Sequence, residues 1–281
     1  MKYTVGIVGL GLMGASLALA LRGFKDACIM GADLDELVCR RAEHAGVVHK
    51  ATTDTAQVME QADLLVFCVY GRHIPGILKT HAKRLKPGSV VSDICGVKMP
   101  LYDAIMPLLP EDVVYIGMHP MAGKERDGFE NAETKLYRNS GFLITPTEKS
   151  TPESIELVRE LAGFIGATRL QVVEPAEHDK MIAYTSDLMH VAAVGLCVNP
   201  PDEVHPAFTA GAFRDCTRVA NINAEAWTEL IMDNRHNTAD ALEQYIADLQ
   251  AMKKAMQEDD PDALREILQR GGDNKRGMLY K

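Results

Sequence analysis

A short β-rich stretch, Lys2 to Gly9, runs directly into Gly9-Leu10-Gly11-Leu12-Met13-Gly14, and a helical pattern follows at once. The spacing G-x-G-x-x-G carries physical meaning only between a strand and a helix. Gly9 permits a tight turn, Gly11 lets backbone approach a pyrophosphate, and Gly14 lets the helix pack closely. A second β-rich stretch, Ala27 to Asp33, ends in an acid nineteen residues beyond Gly14. A carboxylate there accepts hydrogen bonds from ribose hydroxyls and repels the 2′-phosphate of NADP. The pattern therefore predicts an NAD site built from Gly9, Gly11, Leu12, Met13, Gly14 and Asp33. A glycine turn without a nucleotide, or an FAD site, is the weaker reading.

The alternation of strand and helix continues along the chain. Asp35 to Ala45 reads as a charged helix, Ala62 to Tyr70 as a buried strand and Pro75 to Leu85 as a helix. Ser89 to Ile94, Val113 to Met118, Gly141 to Thr145 and Thr168 to Val173 read as strands, with helices at Pro100 to Leu109 and Pro152 to Phe164. This order predicts a parallel sheet with helices on both faces. Beyond Val173 almost every segment up to Gly271 reads as helix. Asp260-Pro261 opens a short last helix, and Gly271 to Lys281 reads as a polar, loosely held tail. The expected fold is thus α/β followed by all-α. A Rossmann-type doubly wound parallel sheet occupies residues 1–173, and an all-helical domain occupies residues 174–281.

Composition narrows the function. Thirty basic residues against 39 acidic give a net charge of −9, which leaves no basic excess for nucleic-acid phosphates. The longest unbroken apolar run, Leu64 to Tyr70, falls far short of the roughly 20 residues that span a bilayer. No signal-peptide pattern opens the chain. The six cysteines form no C-x-x-C pair and read as reduced thiols of a cytoplasmic protein. The nine histidines lack zinc-site spacing, so no metal is expected.

Three further motifs identify a relative. His119-Pro120-Met121-Ala122-Gly123-Lys124-Glu125 follows a strand of the first domain. Thr185-Ser186-Asp187-Leu188-Met189-His190 lies near the start of the second, and Phe213-Arg214-Asp215-Cys216-Thr217-Arg218-Val219-Ala220 comes later, with Trp227 beyond it. Together with the glycine loop these resemble the prephenate dehydrogenase family of tyrosine biosynthesis. The resemblance implies oxidative decarboxylation of prephenate to 4-hydroxyphenylpyruvate with hydride transfer to NAD. It implies that His119 is the catalytic histidine and Glu125 an active-site acid. It implies that Ser186, His190, Asp215, Arg218 and Trp227 serve the substrate. Two departures stand out. Gly96 occupies a position where the family often carries a serine that hydrogen-bonds the catalytic histidine. Asp187 and Met189 replace a histidine and a proline of the second motif.

The residue types suit that chemistry. Histidine, with an ordinary pKa of about 6.5, is largely neutral at cytoplasmic pH and able to accept a hydroxyl proton. Arginine binds carboxylate with a planar, permanently charged fork. Arg218 could alternatively pair with Asp215, His190 could be a core histidine, and Trp227 could equally pack between helices. Arogenate dehydrogenase, with the same chemistry on a substrate carrying an amino group, is the nearest rival; the resemblance associates a histidine at position 190 with prephenate rather than arogenate. A β-hydroxyacid dehydrogenase and a non-catalytic NAD-binding sensor, the latter motivated by Gly96, are more distant. The apolar segments near 183–193 and 227–232 predict a homodimer packed through its helical domains.

Overall fold

The structure is a computed structural model and describes residues 2–124, 126–202 and 204–278. Its strands are β1 (Thr4–Val8), β2 (Cys28–Ala32), β3 (Lys50–Thr52), β4 (Leu64–Phe67), β5 (Val90–Asp93), β6 (Val114–Met121), β7 (Gly141–Pro146) and β8 (Arg169–Val172). They form one sheet in the order β3-β2-β1-β4-β5-β6-β7-β8. All pairings are parallel except that of β6 with β7, which is antiparallel and sets His119 opposite Leu143. The expected sheet was parallel throughout. β6 reaches β7 through a loop and one 3₁₀ turn, without a crossover helix, and an antiparallel neighbour needs no such crossover.

Helices α1 (Leu12–Ala20), α2 (Glu36–His44), α3 (Thr55–Met59), α4 (Ile74–His81), α5 (Met99–Ile105) and α6 (Pro152–Phe164) accompany the sheet. Two cores result. Val5, Ile7, Ile29, Leu64 and Val66 face Leu17, Leu21, Val158 and Leu161. Val8, Met30, Leu65, Phe67 and Val91 face Leu78, Leu101 and Ile105. Burial of both faces explains why β4 reads as an unbroken apolar run. β3 and α3 escaped the reading of the sequence because three and five residues are too few to show a period.

The chain leaves β1, turns outward to β2 and β3, then returns to β4 on the other side of β1. Ligands of open α/β sheets bind where the strand order reverses in this way. The glycine loop lies at that point. Gly9 takes φ +94°, a left-handed conformation that favours glycine, and a Cβ there would meet the Cys68 carbonyl oxygen at 2.6 Å. A Cβ on Gly14 would lie 1.9 Å from the Gly9 carbonyl oxygen, so the helix starts against the turn itself.

After β8 the chain is helical: α7 (Pro175–Ile182), α8 (Leu188–Val198), α9 (Gly211–Thr217), α10 (Ala224–Asp233), α11 (Arg235–Gln257) and α12 (Pro261–Met278). A π-helical turn, Ala183–Asp187, joins α7 to α8 without a break. The joined helix, Pro175–Val198, is long and apolar enough by length and composition to cross a membrane. Its polar member Asp187 is nevertheless buried, where it accepts hydrogen bonds from Asn234 and Thr238 at the start of α11. The last helix is longer than expected. It continues through Gly271 and Gly272, where a loose tail was predicted, with Gln269 and Arg276 both bonded to Asp273. Leu196, Val198, Phe208, Phe213, Ile246 and Leu249 are exposed on this helical half.

The crowding at Gly14 makes a prediction. Gly14→Ala forces the helix off the turn and is expected to cost about 1–3 kcal/mol, as overpacking usually does. Urea denaturation of the variant beside the native protein measures it.

Candidate active site

The cofactor end can be tested for fit from its own geometry. Asp33 stands at the end of β2, where its Oδ2 accepts the Leu10 amide proton at 2.8 Å and its Oδ1 that of Asp35 at 3.0 Å. The carboxylate is thus clamped to the glycine loop rather than free to wander. A Cβ on Gly11 would meet nothing within 4 Å, so the loop opens onto space instead of protein. A cavity of about 510 Å³ lies alongside, bordered by Gly9, Asp33, Leu34, Thr53, His73 and Ile77. Leu34 is 94% exposed at its rim. An acid, an open glycine turn and an apolar lip fit the adenosine half of a dinucleotide. Leu12 and Met13 open α1 beneath the loop, and Met13 is held by Tyr137, whose hydroxyl donates to its carbonyl at 2.7 Å.

His119 lies near the end of β6. Its Nδ1 is 2.9 Å from Nε2 of His178 on α7. The other nitrogen of His178, Nδ1, is 2.7 Å from Oδ1 of Asp179. Asp179 is anchored in turn, since Oδ1 accepts the Lys98 amide proton at 2.9 Å and Oδ2 that of Met99 at 2.8 Å. His178 and Asp179 are both buried. Burial, then the Lys98 ammonium, then His178 hold the His119 imidazole well below its ordinary pKa.

Beneath this row lies a second polar cluster. The Lys98 ammonium is fully buried and donates to Asp93 Oδ1 at 2.6 Å and to the Met118 carbonyl at 2.7 Å. The Tyr115 hydroxyl donates to Asp93 Oδ2 at 2.6 Å. Gly96 sits on the loop between Asp93 and Lys98. A Cβ at Gly96 would come 4.0 Å from His119 Cε1 and 3.4 Å from Leu230 Cδ2. The neighbouring Cys95 thiol is pushed well up in pKa by burial, so it is no nucleophile.

The helical motifs build a cavity of about 550 Å³ bordered by Tyr70, Lys124, Arg126, His190, Asn223 and Trp227. His190 stacks on Trp227 with ring centroids 3.5 Å apart and planes 27° apart. Its Nδ1 is 2.9 Å from the Ser186 carbonyl one helical turn earlier. The π-helical turn carries Ser186, and such insertions recur at functional sites. Val219 borders the same cavity, beside Arg218. Asp215 stands apart: it is exposed and 3.3 Å from Arg214 rather than paired to Arg218. Glu125 lies outside the described residues. Reading by sequence missed His178, Asp179, Tyr70 and Arg126. Of these only the adjacent His178-Asp179 pair carried a signal, a base next to an acid at the start of the helical part.

A family model described as "Prephenate dehydrogenase, nucleotide-binding domain" matches residues 16–170, and "Prephenate dehydrogenase, dimerization domain" matches residues 174–270. A cyclohexadienyl dehydrogenase of Zymomonas mobilis is 28% identical, over 93% of this chain and 91% of its own. A prephenate dehydrogenase from A. aeolicus, solved with hydroxyphenyl propionate and NAD+, superposes with TM-score 0.87 at 26% identity, over 99% of both chains. A Synechocystis arogenate dehydrogenase superposes with TM-score 0.84 at 26% identity, over 98% of this chain and 100% of its own.

A base held neutral by its surroundings has a kinetic consequence. A histidine that acts as a base loses function when protonated, and the pKa of His119 lies below the ordinary 6.5. The acid limb of kcat/KM is therefore expected below pH 6.5, with activity undiminished between about pH 6.5 and 7.5. The same depression acts on folding. Below about pH 6.5 the unfolded chain binds a proton that folded His119 refuses, so its contribution to stability falls as pH falls. A kcat/KM profile in mixed buffers checks the first statement.

By its motifs, its fold and its match over both halves, the chain belongs to the prephenate dehydrogenase family.

Proposed function

We propose that the protein oxidatively decarboxylates prephenate to 4-hydroxyphenylpyruvate, with NAD as the hydride acceptor. The observation that carries this reading is a neutral, oriented histidine at the mouth of a dinucleotide-binding sheet, in a chain that also builds a cation-lined cavity. Prephenate is a cyclohexadiene with a hydroxyl at C4, a carboxylate at C1 and a pyruvyl arm. NAD, when bound, supplies the acceptor for the hydride that leaves C4. His119 Nε2 takes the hydroxyl proton as that hydride departs, and a C4 carbonyl results. Loss of carbon dioxide from C1 then sends its bonding pair through the ring, which becomes aromatic, and onto the C4 oxygen. The proton on His119 returns to that oxygen, and His119 is ready again. No net proton is released.

The remaining residues divide the binding. Gly9, Gly11, Leu12, Met13 and Gly14 cradle the pyrophosphate, and Asp33 accepts from the ribose hydroxyls. Leu34 covers an adenine from the rim. Arg218 binds one substrate carboxylate, and His190, stacked on Trp227 and bonded to the Ser186 carbonyl, lines the cavity that takes the other. Lys124 and Arg126 add positive charge to the same cavity. Asp215 is the gating acid of the substrate site, and Glu125 is an acid of the same site. Residues 1–173 form the cofactor domain and residues 174–281 the substrate and dimerisation domain. The exposed apolar side chains of α8, α9 and α11 suit burial against a second copy in a C2 homodimer. Six free cysteines suit a reducing, cytoplasmic setting.

Two measurements test this reading. Initial rates with prephenate and with arogenate, each with NAD and with NADP, are expected to be highest for prephenate with NAD. Silence with both substrates would refute the reaction, and higher catalytic efficiency on arogenate would reassign the substrate. Light scattering at micromolar concentration is expected to give about twice the single-chain mass of 30.8 kDa. A mass equal to one chain would refute the dimer.

A further inference from the structure

An imidazole can take a proton at Nε2 only if its own proton sits on Nδ1. A base that must be neutral therefore needs a partner that chooses the tautomer. A serine at position 96 would provide one, but the chain has Gly96. The nearest described polar side chain on His119 Nδ1 is instead His178, at 2.9 Å.

Direction in that row follows from its far end. The Asp179 carboxylate accepts from two backbone amides, Lys98 and Met99, so its oxygens face donors and its plane is held. At 2.7 Å from Asp179 Oδ1, His178 Nδ1 must carry a proton, because two acceptors do not approach so closely. With a single ring proton, held at Nδ1, His178 Nε2 is bare and acts as an acceptor. His119 Nδ1 must donate to it, which leaves His119 Nε2 bare as well. The two rings are tilted by 57°, an edge-to-edge contact rather than a stack. His178 is 1% and Asp179 2% exposed, so water does not compete for these bonds.

We propose that His178 and Asp179 are positioning residues for the reaction, a row Asp179–His178–His119 that holds the catalytic imidazole in its Nδ1–H tautomer without the hydroxyl that Gly96 lacks. The inference rests on the reading of His119 as the base. It also assigns a task to the imidazolium formed in mid-reaction. His119 keeps its Nδ1 proton, and the hydrogen bond to His178 strengthens as the ring becomes charged. A chain of this form steers a base as an aspartate does in the serine-protease triad, where the wrong tautomer lowers turnover by about 10⁴-fold.

The test combines spectroscopy with two substitutions. In the native protein, long-range ¹⁵N–¹H spectra of ring-labelled histidine are expected to place the His119 proton on Nδ1. A proton on Nε2 would overturn the proposal. His178→Leu removes the acceptor, and kcat is expected to fall by about 10²-fold or more while KM for prephenate and for NAD stays within about threefold. His178→Gln puts an amide oxygen where Nε2 stood, and is expected to recover at least about tenfold of the lost kcat. Equal rates for the two variants, or a leucine variant within about threefold of native kcat, would overturn the proposal. Should the leucine variant fail to fold, as circular dichroism would show, the native spectrum and the glutamine variant still decide. A native protein inert toward prephenate would sink the assigned reaction, and the tautomer would then judge the row by itself.

Discussion

A single buried lysine joins the parts on which this site depends. Lys98 is wholly excluded from water, and an ammonium there is tolerable only if its partners replace the water it lost. It finds Asp93 at the end of β5 and the Met118 carbonyl on β6, the residue before His119. Its backbone amide meanwhile holds Asp179 on α7. One residue thus ties two strands of the sheet to the first helix beyond it. Removing one partner of such a pair commonly costs about 3–5 kcal/mol, because the other charge is left buried alone. Burial first, and this ammonium second, oppose protonation of the His119 imidazole.

Electrostatics and shape thereby agree. Around His119 the Lys98 ammonium lies on one side, and Asp179 touches the imidazole only through His178. A carboxylate bonded directly to His119 would raise its pKa, favouring an imidazolium that cannot accept a proton. The imidazole of His178 stands between the two, so the carboxylate does not touch His119 directly. In the cavity bordered by the helical part, Lys124 and Arg126 stand with Asp127. Between them, the stacked His190 and Trp227 give the cavity a flat aromatic wall.

Much of this was legible in the order of residues. The glycine loop and Asp33 were readable because their geometry is local: a turn, a helix start and an acid at a strand end follow directly along the chain. The change from alternation to continuous helix near Val173 was readable for the same reason. What the sequence could not show depends on distant contact. His178 meets His119 across 59 positions, and Lys98 meets Asp179 across 81. No periodicity encodes such pairs. The antiparallel β7 was unreadable because strand direction is decided by how the preceding loop returns. The helical tail was missed because Gly271 and Gly272 look like helix breakers, whereas Gln269, Asp273 and Arg276 bond across them. Asp187 reads in the sequence as a departure from the second motif. It is a buried acceptor for Asn234 and Thr238, and it ties the π-helical turn to α11.

Everything turns on His119 as the group that takes the proton. The most direct measurement is steady-state turnover of His119→Asn with prephenate and NAD at pH 7.5. An asparagine cannot accept that proton, so kcat is expected to fall by about 10²–10⁴-fold, with KM for both substrates changed by no more than about threefold. A variant that kept most of its kcat would contradict the account and place the base elsewhere.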